Sequence, residues 1–186
     1  MIFGSVLLGG ILVFSLYGLG NSIASSNYGR MDDDEHEYEG RSYLQKKSTN
    51  ALYTQECASC HMAYPAGLLP AASWSALMNG LEDHFGENAE MDEAGRRDIE
   101  NYLVETTSSL NRYNRKMLRN AQNQAPLRIT GLPYFKHKHR EIPTRLIKNN
   151  PQIGSLSQCN ACHPKAEKGG FDEDDVIIPG VGPWDD

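Results

Sequence analysis

The chain has 186 residues, of which 39% are hydrophobic and 23% charged. That is enough for one full domain or two small ones, and too ordinary for a collagen-like, coiled-coil or wholly disordered chain. A net charge of −6 and an isoelectric point near 5.5 argue against nucleic acid or an anionic membrane surface as the main partner. The charge is segregated: residues 1–111 carry 6 basic and 16 acidic side chains, 112–148 carry 10 and 1, and 149–186 carry 2 and 7.

The first element is apolar. Ile2 to Gly20 is an uncharged run of 19 residues. A membrane span needs about 17–25 residues and a signal-peptide core about 7–15. Length and the missing basic leader favour a retained anchor; Ser22-Ile23-Ala24 offers the alternative of a signal cleaved near Ala24. Either places the rest of the chain in the periplasm, anchored to the inner membrane in the first case and soluble in the second. Residues 25–40 are acidic and lack apolar periodicity, so they read as a linker, with His36 a solvated residue within it.

A helix is expected from near Arg41 to the first cysteine pair, with Tyr43, Leu44, Ala51 and Leu52 on its apolar face. Pro65 and Pro70 bracket a loop. Ala71 to Asn79 reads as a short helix stopped by Asn79-Gly80. Asp92 caps a helix with Ile99, Tyr102 and Leu103 on one face, expected to fray near Thr106-Thr107-Ser108-Ser109. The basic stretch 112–148 is broken by Pro126, Pro133 and Pro143. The segment after Cys162 is rich in Gly, Pro and acids and is expected to lack long helices. No strand alternation stands out anywhere.

Every cysteine falls in one of two motifs, Cys57-Ala-Ser-Cys60-His61 and Cys159-Asn-Ala-Cys162-His163. C-x-x-C-H is the pattern of c-type haem attachment. Two thiols three residues apart can each add to one vinyl group at a haem edge, and the next histidine is placed to ligate the iron. A four-cysteine zinc site would use the same pairs but has no need of a histidine after each. A thioredoxin-like redox pair would sit on a βαβ pattern, which is absent. The cofactors expected are two covalently bound haems c, with Cys57, Cys60, Cys159 and Cys162 as attachment points.

With His61 and His163 as proximal ligands, the second axial positions fall to His84, His137 and His139. His84 is assigned to one iron, and His139 is favoured over His137 for the other. Met78, Met91 and Met117 are the sulfur alternatives and read better as packing residues. Proximity in sequence pairs His61 with His84 and His163 with His139; the crossed pairing stays open.

The sequence resembles a known family here, the dihaem cytochromes c that partner the oxygen-binding monohaem protein called sphaeroides haem protein. The resemblance runs through Glu56 to Pro65, Leu69-Pro70-Ala-Ala-Ser-Trp74, Leu81 to Ala89, Lys138 to Pro143 and Cys162-His163 with Ala166 to Gly169. It implies a mainly α fold: a cytochrome c-like helical haem domain over 41–111 and an irregular, loop-rich haem domain over 112–186; the hydrophobic N-terminal helix of residues 1–24 that precedes them is read from its own apolar run. It also implies bis-histidine ligation, and points to His139 as the histidine that precedes Arg-Glu. The apolar N-terminus and acidic linker depart from the family pattern.

The expected role is electron transfer and not catalysis. Electrons would pass through two low-potential haems from a membrane quinol-oxidising cytochrome b to a haem protein acceptor. The alternatives are a subunit built into a larger membrane complex, or a dihaem peroxidase or reductase with one open iron. The basic stretch 112–148 is read as steering an acidic partner or neutralising haem propionates, or as plain solvated surface.

Overall fold

A computed structural model describes residues 50–110, 114–119, 121 and 125–184. The expected anchor, the acidic linker and the stretch from Arg41 to residue 49 lie outside the described residues. No helix among the described residues is long and apolar enough to cross a membrane.

The fold is mainly helical. Helix α1 spans Ala51–Cys57, α2 Ala71–Met78, α3 Glu93–Ser109, α4 Arg115–Leu118, α5 Pro133–Lys138 and α6 Thr144–Lys148. Short 3-10 turns join them, and a minimal antiparallel hairpin, β1 (Ile177–Ile178) with β2 (Gly182–Pro183), lies near the C-terminus.

Three local details bear on the sequence expectations. The helix that ends at the first cysteine pair starts at Ala51, because Asn50 is extended and its side chain accepts from Tyr53 N, closing the first turn; the expected start near Arg41 lies outside the described residues. The long helix, capped as expected by Asp92 accepting from Gly95 N, does not fray at Thr106. Ile99, Leu103, Thr106 and Thr107 continue one buried stripe at helical spacing, so the helix runs on to Ser109. The hairpin was not foreseen; with strands of two residues it leaves no alternation to read.

Apolar side chains form two clusters. The first gathers Tyr53 from α1, Leu69, Trp74 and Met78 from α2, and Ile99 and Leu103 from α3; Leu118, Ala121 and Leu132 close it. Burying each large aliphatic or aromatic side chain here contributes about 1.5–3 kcal/mol. The second cluster is smaller: Ile147 of α6, Ile153, Val176 and Ile178, with Leu146, Leu156, Cys162 and Trp184 against it.

The Pro65–Pro70 loop is buried along its whole length, which is unusual, because a loop's carbonyls must find partners away from water. Here they do. Trp74 Nε1 donates to Ala66 O at 2.7 Å. Thr107 Oγ1 donates to Ala66 O and reaches Leu69 O at 3.2 Å, and Asn114 Nδ2 donates to Gly67 O at 3.2 Å. Thr107, one of the residues that make the end of α3 look weak in sequence, thus helps lock the loop behind the first cysteine motif.

Candidate haem sites

The first motif straddles the end of α1. Cys57 is its last residue, and Ala58 caps it with its N–H bonded to Thr54 O. Chain reversal there brings His61 back against the core. His61 Nδ1 lies 2.6 Å from Met62 O. A carbonyl only accepts, so the proton sits on Nδ1 and the lone pair on Nε2.

His84 faces it. The two ring centres are 6.3 Å apart with planes inclined by 26°. His84 is presented by a tight turn: its N–H donates to Glu87 O at 2.7 Å, with Phe85 and Gly86 at the tip at φ 63° and 103°. A turn with two positive φ values suits Gly, Asn or Asp, so Phe85 is a strained choice. Its ring packs on His84 at 4.8 Å and carries the Arg128 guanidinium 3.9 Å from its centre. Burial, then the neighbouring His61 and Arg128, pushes His84 below the usual imidazole range, favouring the neutral ring.

The second motif lies on a 3-10 turn, Cys159–Ala161, whose tightness brings His163 N to Cys159 O at 2.8 Å. His163 faces His139, the residue that ends α5, with ring centres 6.1 Å apart and planes inclined by 68°. His139 Nδ1 lies 2.8 Å from Phe135 O, one turn back, and its ring stacks on Phe135 at 3.9 Å. Its lone pair is therefore also on Nε2. Phe171 packs edge-on against His163 at 5.5 Å, delivered by the left-handed Gly169 that ends the Ala166–Lys168 turn. Burial, then the adjacent His139, pushes His163 down to about 4, and burial lowers His139 as well.

His137 points elsewhere: its Nδ1 accepts from Arg140 Nη1 at 2.6 Å. Met78, Met91 and Met117 belong to the first apolar cluster. His36 lies outside the described residues.

Two imidazoles bonded to opposite sides of one metal at about 2.0–2.1 Å place their ring centres about 6 Å apart. Both facing pairs have that separation. In each pair one ring, His61 or His139, is anchored through Nδ1 by a main-chain carbonyl, which leaves its Nε2 lone pair to the facing side. Among the described residues no three His, Cys, Asp or Glu side chains converge as a structural zinc would require. All four cysteines are free of disulfides and so available for covalent attachment; burial first of all pushes Cys57 and Cys159 up to about 11. The donor set fits haem.

Sequence reading overlooked the aromatic rings around the imidazoles: Tyr64 stacked on His61 at 4.7 Å, Phe85, Phe135 and Phe171. The available signal was position, since Tyr64, Phe85 and Phe135 lie within four residues of a histidine they touch.

Comparison with known proteins agrees with this chemistry. A model described as dihaem cytochrome c matches residues 53–171. The structure is similar to that of a dihaem cytochrome c from Shewanella baltica OS155, with 48% identity and a TM-score of 0.62, covering 75% of this chain and 100% of that one. A dihaem cytochrome c from Rhodobacter sphaeroides is 48% identical, with a TM-score of 0.59 over 66% of this chain and 97% of that one. No curated protein sequence matches significantly.

Proposed function

The chain belongs to the dihaem cytochrome c family, and from that premise we propose that it is an electron carrier in which each of its two covalent haems is held between two histidines. His61 and His84 serve one iron, and His163 and His139 the other. The observation that carries this reading is the pair of facing imidazoles, 6.3 and 6.1 Å between ring centres. The haem iron supplies one-electron chemistry, alternating between ferric and ferrous.

The protein's part is to bind, orient and shield. The Met62 and Phe135 carbonyls fix the ring orientation of His61 and His139 and direct Nε2 to the metal. Burial keeps His84, His139 and His163 neutral, the form that ligates. Two histidines per haem would leave no open site for a substrate and supply no sulfur ligand to raise the potential, so both haems would work at low potential. This is why a carrier fits better than a peroxidase or reductase.

The physiological route is a periplasmic one, from a membrane quinol-oxidising cytochrome b to a monohaem oxygen-binding acceptor, with the apolar run Ile2 to Gly20 as tether. Support for it comes from the family resemblance, the export-like N-terminus and the basic stretch 112–148, suited to steering an acidic partner. Ligand replacement tests the reading. His84→Ala and His139→Ala should each convert one haem from low-spin to high-spin, and His137→Ala should convert neither. A high-spin haem in the unmodified protein, or in His137→Ala alone, would refute it.

A further inference from the structure

One side chain touches both sites. Tyr64 stacks on the His61 imidazole, ring centres 4.7 Å apart and planes inclined by 24°. Its hydroxyl donates to Ser157 O at 2.7 Å, across 93 residues of sequence. Ser157 stands two residues before Cys159, and the same carbonyl faces the Cys159 thiol at 3.7 Å. The strand of chain holding Tyr64 is itself fixed, because Tyr53 Oη donates to the Tyr64 carbonyl at 2.7 Å. Ser157 is fixed too: its hydroxyl meets that of Ser155 at 2.5 Å, within a turn closed by Gln158 N to Ser155 O at 3.1 Å.

We propose that Tyr64 is a positioning residue that registers the two haem-attachment loops against each other, its ring setting the rotation of His61 and its hydroxyl setting the height of the Ser157–Cys159 segment. The division of labour follows from the geometry. A ring face can hinder rotation of a stacked imidazole but cannot place a loop. A hydroxyl bonded to a main-chain carbonyl does the reverse, because that carbonyl belongs to the backbone leading directly into Cys159. The inference rests on the ligand assignment made above.

The test uses the intact dihaem protein in its ferric state, with proton NMR of the haem methyl groups. In a low-spin ferric haem these shifts report the rotation of the axial imidazoles. The two haems are told apart by their assigned thioether neighbours. Tyr64→Phe keeps the ring and removes the donor, so the second haem's methyl signals should shift while the first haem's stay in place. Tyr64→Leu removes both functions, so both sets should move. Thr107→Val is the control for losing a buried hydroxyl that does not touch Tyr64, and should lower the unfolding midpoint without moving the second set. High-spin signals in the unmodified protein would refute the ligand assignment, and this inference with it. If the unmodified protein is low-spin and Tyr64→Phe leaves the second set unmoved, the positioning role alone is overturned, as it is if Thr107→Val moves that set equally.

Discussion

The two sites carry the same donor set on unequal supports. The first motif hangs from the end of α1, backed by a cluster drawn from α1 to α4 and by a buried loop whose Ala66, Gly67 and Leu69 carbonyls accept from side chains. The second sits on a 3-10 turn, backed by four buried aliphatic residues, a two-residue hairpin and surface ion pairs such as Lys138–Glu173 and Lys165–Asp175. Exposed ion pairs contribute little, about 0–1 kcal/mol. The comparison teaches that one ligand geometry can be held by helix packing in one place and by turns in another. It also implies that the second site leans more heavily on its haem for order.

The largest expected effect breaks the comparison outright. Cys159→Ala with Cys162→Ala should remove one haem by mass and open the 140–184 region to limited proteolysis. Cys57→Ala with Cys60→Ala should also remove one haem but leave the helical core protected. Equal protease sensitivity in the two double variants would contradict the unequal support.

Core truncation comes next. Leu103→Ala, at 1% exposure in the middle of α3, should cost about 2–5 kcal/mol in denaturant unfolding. The loss should be global, because this residue packs in the larger cluster. Ile178→Ala, fully buried in the smaller one, should loosen the second site while leaving the first haem's absorption unchanged.

Thr107→Val sharpens the picture of the buried loop. It keeps the shape of the side chain and removes the donor to Ala66 O and Leu69 O, leaving buried carbonyls short of a partner. The cost expected is about 1–3 kcal/mol, with the first site affected and the second not.

The smallest effect concerns acid. Arg96, then Arg97, holds the exposed Glu93 carboxyl down at about 2. A depressed carboxylate contributes stability that is fully present above its unfolded value of about 4.3 and is lost as pH falls towards about 2. Glu93→Gln should flatten the acid limb of the unfolding midpoint over that window and leave it unchanged at neutral pH.

Much of the site was legible in the sequence, because haem attachment needs adjacent residues. Cys57, Cys60, His61 and their counterparts at 159–163 are contiguous, so spacing alone reveals them. The distal ligands were narrowed by counting histidines, and the structure brings His84 and His139 to the facing positions. The helices of the first half were readable where apolar periodicity and capping agree, as at Asp92. The end of α3 was not, since Thr106 and Thr107 look like helix breakers until the burial of both and the loop partners of Thr107, some 40 residues away, are known. The partner of the Tyr64 hydroxyl was illegible for the same reason: it is a carbonyl 93 residues distant, and a carbonyl carries no side-chain signature. The second half offered least, because its turns and two-residue strands are shorter than any period.

The central claim, two irons each saturated by a pair of histidines, is tested most directly by adding carbon monoxide to the fully reduced protein and following the haem absorption. The account predicts that neither haem binds the gas appreciably, since an imidazole must first leave each iron. Rapid, stoichiometric binding at one haem would contradict it and make that iron an open site.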